Sequence, residues 1–401
     1  MRKSIWVLAV MLGVLLFPSP GSSQRSPGGQ RDTIRIGVIN SLTGLFSDQG
    51  KMVQNGILLA RDEINAKGGI NGRRIELLIE DDGSNTDRAV RAFRKLAAAK
   101  VQAIIGPLSS GATMATAKLA DQYGILQVVP TAHADKLRGI SRNVFLMYPN
   151  TDNEARFIAE VATKRLNKKR VAILMPDNGF SDDFTTALSR YVQENGGTIV
   201  SNDRFKESTT NFRADIRKLR DLKPDVLIIP SFLPVAPVAV AREIANQGFV
   251  VTVISKGAAC LTALLSFGEL VLPANVRENF FFVNETFDRD RSRGASMEQF
   301  MTSYQRRFNS TPHPYSAMGS AAVSVVRNAI ESTSAVGAAR EQGGNEVTRL
   351  REAIGRSEIE TAFGTVKFDA NQVNTGVGFS LYKLNTDKSA RARRGELVLV
   401  Q

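Results

Sequence analysis

The chain has 401 residues, of which 52 are Lys or Arg and 39 are Asp or Glu, giving a formal net charge of +13 at pH 7. A single cysteine, Cys260, excludes an internal disulfide, and the length allows two domains, each with a core of its own. The basic residues are scattered rather than blocked, so they indicate a solvated surface, and we expect no nucleic-acid partner.

The N-terminus has the three parts of a secretory signal peptide. Arg2 and Lys3 precede an apolar run at 5–17, and small residues follow it. The run is shorter than the ~20 residues that a membrane span needs, although an uncleaved membrane anchor is the alternative interpretation. We predict a signal peptide at 1–23, a flexible leader at 24–32 and a mature protein in the periplasm, a compartment that suits an exported chain without disulfides.

From residue 33 onward, short apolar runs of strand type alternate with helical patterns. The first strand, TIRIGVIN, is followed by a helix from Ser47 with apolar residues at helical spacing. The next predicted strands are RIELLIEDD, VQAIIG, GILQVV, RVAILM, TIVSNDRF, DVLIIP and FVVTVIS. This alternation predicts parallel sheets covered by helices on both faces.

The pattern changes in the last third of the chain. Residues 294–355 are helical in pattern almost throughout, and strands return at GTVKFDA, GVGFSLYKL and GELVLV. A helical block placed between two α/β runs and terminal strands is unusual for two sequential domains. It fits a chain that leaves one lobe, visits another and returns.

Four segments follow one another in the first α/β part of the chain: GVINSLTG, INAKGGINGRRIEL, DDGSN and IIGPLSSG. Together they resemble the periplasmic leucine/isoleucine/valine-binding proteins, the type I solute-binding components of ABC importers. The resemblance extends from Thr33 to Leu399. It implies an α/β fold of two doubly wound parallel-sheet lobes joined by three crossover strands, which close around a small ligand by a hinge.

By this resemblance, one lobe comprises 33–149 plus 283–361, and the other comprises 150–282 plus 362–401. The resemblance also implies a monomer that delivers its ligand to an ABC permease and ATPase complex in the inner membrane. A ligand-sensing module of the same fold, acting on a membrane receptor, is the alternative.

Polar residues follow two of the predicted strands at the end where open parallel sheets bind ligands. Ser109 and Ser110 follow one strand, and Thr131 and His133 follow the next. A helix that begins at the two serines offers free N–H groups and the positive end of its dipole, which favour an anion. The resemblance implies that Ser110 binds the ligand carboxylate, while helix capping is the alternative role.

The resemblance marks five further positions. Phe180 and Phe232 stand where tyrosines are common, Tyr315 matches an aromatic residue that closes the side-chain pocket, and Gln49 matches a position that is often aromatic. Where the family has an acid for the ligand ammonium, this chain has Lys256.

His133 is a second departure, since the family usually has a hydroxyl residue there. The alternative interpretations are a solvent-facing loop position or a cap on the following turn for His133, and a solvent-facing side chain for Lys256. A buried ammonium needs a counter-charge, whereas Lys256 and a cationic His133 would add positive potential to the site. They therefore favour a monocarboxylate without an α-amino group, and the aromatic positions favour an apolar or aromatic body. The alternative is an amino acid whose ammonium pairs with Asp177 or Asp182.

Enzyme motifs are absent from the sequence, which has no G-x-G-x-x-G, P-loop, G-x-S-x-G or H-E-x-x-H. A nucleophilic pair of Ser110 and His133 would need an orienting acid, for which Asp135 is the nearest candidate. We therefore expect no catalytic residues, no cofactor and no metal.

Overall fold

The computed structural model describes residues 33–149, 151–231, 235–256, 272–285, 295–337, 346–384 and 397–400. The predicted signal peptide, the leader and Phe232 lie outside these residues. Within the described ranges, none of the helices combines the length and the apolar character that crossing a membrane requires.

The first sheet contains five parallel strands in the order β2-β1-β3-β4-β5. These strands are β1 (Ile34–Asn40), β2 (Ile75–Asp81), β3 (Ala103–Ile105), β4 (Leu126–Val129) and β5 (Val144–Leu146). The helices between them are α1 (Ser47–Ala66), α2 (Thr86–Ala98) and α3 (Ser110–Tyr123). The strand pairs and helices match the α/β alternation that the sequence predicts.

The second sheet has seven strands in the order β14-β13-β10-β9-β8-β6-β7, and the last two strands in sequence run antiparallel to their neighbours. The strands are β6 (Arg170–Pro176), β7 (Thr198–Phe205), β8 (Val226–Ile229), β9 (Thr252–Lys256), β10 (Phe280–Glu285), β13 (Phe379–Leu384) and β14 (Leu397–Leu399). Its helices are α4 (Thr151–Glu160), α5 (Ser181–Glu194), α6 (Arg213–Leu222), α7 (Val235–Asn246) and α8 (Ala274–Arg277).

The remaining elements connect the last strands of the second sheet. They are α9 (Ala295–Phe308), α10 (Pro314–Gly337), α11 (Glu346–Arg356) and the hairpin of β11 (Glu358–Thr361) and β12 (Gly364–Lys367). The chain thus passes between the two lobes three times: after β5, after β10 and after β12. These three crossings confirm the predicted two-lobe architecture.

The hairpin packs with the first lobe. Phe363, Val366 and Phe368 are buried in one core cluster with side chains of β1 and β3. The boundary predicted at 361 assigns these residues to the second lobe, but their apolar side chains lie in the first core. The exact division of the chain into lobes stays a prediction.

Two glycines let helices α1 and α10 meet backbone to backbone. A Cβ atom on Gly56 would lie 1.8 Å from the Ser316 carbonyl oxygen, and one on Gly319 would lie 2.2 Å from the Val53 carbonyl oxygen. Real Cβ atoms do not approach backbone oxygen so closely, so this contact requires residues without a side chain.

Candidate functional site

The carboxyl ends of β3 and β4 bring the predicted anion-binding residues together. The two strands are parallel neighbours, with Ile105 opposite Val128. Ser109 and Ser110 follow β3, and Thr131 and His133 follow β4. This edge of the first sheet is the one at which open parallel sheets bind ligands.

The two serines have different roles at the start of α3. Ser109 is the N-cap, and its side-chain oxygen accepts a hydrogen bond of 3.3 Å from the Ala112 N–H group. Ser110 is the first residue of the helix, and its hydroxyl oxygen accepts from the backbone N–H groups of His133 at 3.4 Å and Ala134 at 3.3 Å. Ser110 is therefore not the capping residue, and its hydroxyl proton can be donated to another acceptor.

His133 is a neutral, buried histidine. Its Nδ1 atom lies 3.2 Å from the Thr131 carbonyl oxygen, an acceptor, so Nδ1 carries the proton and Nε2 is left as an acceptor. Burial and the charge of Lys256 hold the pKa of His133 well below its usual 6.5. The structure therefore does not support the positive charge that the sequence suggested for this residue.

Lys256, the last residue of β9, lies on the opposite side of the cleft and reaches His133. Its Nζ atom lies 3.3 Å from His133 Nε2 and forms an ion pair with Glu154. The side chains of Lys256 and Glu154 are 0% and 1% exposed. Burial lowers the pKa of Lys256 and raises the pKa of Glu154, while the attraction between the two groups opposes both shifts.

Glu154 corrects the interpretation that Lys256 gives the site an excess of positive charge. Because the two side chains form an ion pair, Lys256 has a counter-charge within its own lobe. The candidate site therefore contains a buried ion pair and not an uncompensated positive charge.

A second buried acid lies beside this pair. Glu285 is the last residue of β10, and its carboxyl group accepts a hydrogen bond from the hydroxyl of Tyr148. Burial raises the pKa of Glu285 to about 7. Burial and the neighbouring carboxylates raise the pKa of the Tyr148 phenol well above 10.

Aromatic rings surround the contact between the lobes. The ring centroid of His133 lies 4.8 Å from that of Tyr148 and 5.0 Å from that of Phe180. Phe184 packs edge-on against Phe180, with 5.9 Å between centroids. The predicted aromatic position Phe180 is thus in direct contact with His133.

The two lobes also meet at the start of α3. A Cβ atom on Gly179, in the loop after β6, would lie 3.8 Å from the Gly111 nitrogen and 3.9 Å from Ser110 Cβ. The Lys136 N–H group donates to Asp183 Oδ2 at 3.3 Å. Ser110 therefore faces the opposite lobe across a closed cleft.

Three other predicted site residues, Thr131, Tyr315 and Gln49, are buried side chains of the first lobe. Thr131 donates its hydroxyl to the Leu108 carbonyl at 2.7 Å and so supports the loop that carries the serines. Tyr315 is buried near the start of α10, where its N–H group donates to His313 Nδ1 at 3.2 Å. Gln49 is buried in the first turn of α1.

Asp177 and Asp182, the acids considered for a ligand ammonium, lie on the surface. Their side chains are 64% and 68% exposed. Both pair with Arg204, at 3.5 Å and 2.5 Å. This exposure and pairing contradict their proposed role as buried partners of an ammonium group.

Sequence reasoning missed four members of the cluster: Glu154, Tyr148, Phe184 and Glu285. Two of them carry a readable signal. Glu154 lies one helical turn before Ile158 on the buried face of α4, and Glu285 ends an apolar strand. An acid on an apolar face, or at the carboxyl end of a buried strand, indicates a functional group.

No group of three or more His, Cys, Asp or Glu side chains that could hold a metal ion occurs among the described residues.

Comparison with known proteins relates the chain to one family. The family described as "Periplasmic binding protein" matches residues 33–389. The Leu/Ile/Val-binding protein BraC3 of Rhizobium johnstonii is 27% identical over 361 residues, which cover 90% of this chain and 94% of that protein.

Solved structures share the fold at lower identity. The branched-chain amino acid transporter substrate binding protein LivJ from Streptococcus pneumoniae, in complex with isoleucine, gives a TM-score of 0.74 at 23% identity and covers 92% of this chain and 100% of its own. A solute binding protein of an ABC transporter from R. palustris, in complex with benzoate, gives a TM-score of 0.76 at 19% identity, covering 92% of this chain and 96% of its own.

Proposed function

The chain belongs to the periplasmic binding protein family, and we propose that it captures a small carboxylate-bearing ligand in the cleft between its lobes. It then delivers the ligand to an ABC permease and ATPase complex, acting as a monomer in the periplasm. The ligand is a branched-chain amino acid or an apolar or aromatic carboxylic acid. Similar proteins include a Leu/Ile/Val-binding protein, a substrate-binding protein in complex with isoleucine and one in complex with benzoate.

The observation that carries this proposal is the placement of Ser110. Its hydroxyl oxygen already accepts from two backbone N–H groups, so its proton is available to an anion. It stands in the first turn of α3, where free N–H groups and the helix dipole favour negative charge. The opposite lobe approaches it at Gly179, as a cleft that closes on its ligand requires.

The same contacts support binding without turnover. A serine nucleophile needs its hydroxyl within hydrogen-bond reach of a base. His133 instead directs Nδ1 to the Thr131 carbonyl and Nε2 to Lys256, while Ser110 contacts the backbone N–H of His133. The pair of Ser110 and His133 therefore lacks the arrangement of a nucleophile and its base.

We expect Ser110→Ala to weaken carboxylate binding by roughly 1–3 kcal/mol, the scale of a lost hydrogen bond to a charged group. Calorimetry with 4-methylpentanoate, 3-phenylpropanoate and leucine measures the change on whichever of these probes binds. Ser324→Ala, which removes a hydroxyl bonded to the Ser320 carbonyl within α10, is the control and should leave affinity unchanged. Equal affinity of the Ser110→Ala and wild-type proteins for every probe would remove Ser110 from the carboxylate site.

A further inference from the structure

The ammonium group of Lys256 is enclosed by a complete set of ammonium-binding groups. Glu154 supplies the counter-charge, and His133 Nε2, 3.3 Å away, supplies an acceptor. Three aromatic rings lie around Nζ, with centroids at 4.7 Å for Phe180, 5.3 Å for Phe184 and 5.9 Å for Tyr148. Carboxylate and aromatic faces are the groups that stabilise a buried ammonium.

This enclosure, which we term the ammonium cage, is formed by both lobes. Glu154, Phe180 and Phe184 belong to elements of the second lobe, while His133 follows a strand of the first sheet. The cage is therefore assembled at the surface where the lobes meet.

His133 also links the cage to the anion-binding serine. Its backbone N–H group donates to Ser110 Oγ at 3.4 Å, and its ring contacts Lys256 Nζ at 3.3 Å. His133 thus lies between Ser110, which would bind a ligand carboxylate, and the buried ammonium group of Lys256. An α-amino acid carries these same two charges close together.

We propose that the Lys256 side chain takes the place of a ligand ammonium in this cage, so that the cleft selects monocarboxylates that lack an α-amino group. This inference rests on the proposed function, because it assigns the ligand class of the same cleft. The ligand body is aliphatic or aromatic, in keeping with the rings of Phe180 and Tyr148. An amino acid is rejected because its ammonium would enter a site whose counter-charge is already used.

Glu285 is the competing partner for a ligand ammonium. Its Oε2 atom is buried and has no hydrogen-bond partner among the described residues. Burial raises its pKa to about 7, so it is partly protonated at neutral pH but can still carry a negative charge. The variant Glu285→Gln therefore distinguishes ammonium binding by Glu285 from selection by Lys256.

The test compares matched ligands that differ only in the amino group. Calorimetry at pH 7.5 measures 4-methylpentanoate against leucine, and 3-phenylpropanoate against phenylalanine. We expect the wild-type protein to bind the acid without the amino group at least about tenfold more tightly in at least one pair.

Removal of the lysine should reverse this preference. In Lys256→Ala, Glu154 and the aromatic faces become available to the ligand ammonium, so leucine should gain about tenfold or more in affinity over the wild type. Lys256→Ala/Glu154→Gln, which also removes the counter-charge, should show no such gain. Lys95→Ala, at a lysine 71% exposed on the first lobe, is the control and should keep the wild-type ratio.

Several results would overturn the inference. Tight leucine binding by the wild type that Glu285→Gln abolishes would make Glu285 the ammonium partner. An unchanged ratio of affinities in Lys256→Ala would show that the lysine does not select the ligand, and if that variant fails to fold, the wild-type ratio decides. Binding of the amino acids alone overturns only the ligand class, whereas binding of none of the four probes would overturn the proposed function as well.

Discussion

Lys256→Met is expected to lower the free energy of unfolding by about 3–5 kcal/mol, the usual cost of breaking a buried ion pair by removing one partner. The side chains of Lys256 and Glu154 are 0% and 1% exposed, so the remaining carboxylate could not regain water without opening the cleft. Methionine keeps most of the length and apolar stem of lysine. The loss of stability therefore measures the cost of the uncompensated Glu154 charge and not the cost of a cavity.

Urea denaturation of the double variant Lys256→Met/Glu154→Gln tests this explanation. With both charges removed, stability should return to within about 2 kcal/mol of the wild type, because a neutral pair does not need a buried counter-charge. Lys367→Met is the control. Lys367 pairs with Glu358, and both side chains are 60% exposed, so this substitution should change the free energy of unfolding by less than about 1 kcal/mol. A loss in the double variant as large as in Lys256→Met would show that the charge is not the cause.

Gly56→Ala should destabilise the first lobe by about 3 kcal/mol, at the upper end of what overpacking costs. The added Cβ atom would lie 1.8 Å from the Ser316 carbonyl oxygen and 3.0 Å from the Ser320 nitrogen. These are backbone atoms of α10, which cannot move aside as a flexible side chain can. The two helices would have to separate along their contact.

Gly355→Ala is the matched control for the glycine substitution. Gly355 lies near the end of α11, and a Cβ atom there has nothing within 4 Å. Alanine should therefore stabilise this helix by about 0.4–1 kcal/mol, mainly by restricting the unfolded chain. If Gly56→Ala were as stable as the wild type in urea denaturation, the close packing of α1 on α10 would be contradicted.

The sequence predicted the fold better than the site. Periodicity indicated the helix from Ser47 and most strands of both sheets, because each is a local pattern with a clear repeat. It missed β5 (Val144–Leu146), β10 (Phe280–Glu285) and β11 (Glu358–Thr361). The first and last of these have only three and four residues, too few to show a repeat, and β10 begins with an unbroken apolar run that does not alternate.

At the candidate site, the neighbouring strands β3 and β4 could be inferred, and with them the grouping of Ser110 and His133. The partner of Lys256 could not. Glu154 precedes it by 102 positions, and only the folded chain brings the two side chains together. The protonation state of His133 could not be predicted from the sequence either, because it depends on burial and on contacts from both lobes.

The most direct test of the central proposal, a carboxylate held in the cleft, is a thermal-shift comparison of acids with their own amides. The pairs are 4-methylpentanoate with 4-methylpentanamide, benzoate with benzamide, and leucine with leucinamide. A ligand that binds only the folded protein raises its melting temperature by mass action. We predict that at least one acid raises the melting temperature while its amide, which has the same body without the negative charge, does not. If each amide stabilised the protein as much as its acid, the proposal that the cleft binds a carboxylate would be contradicted.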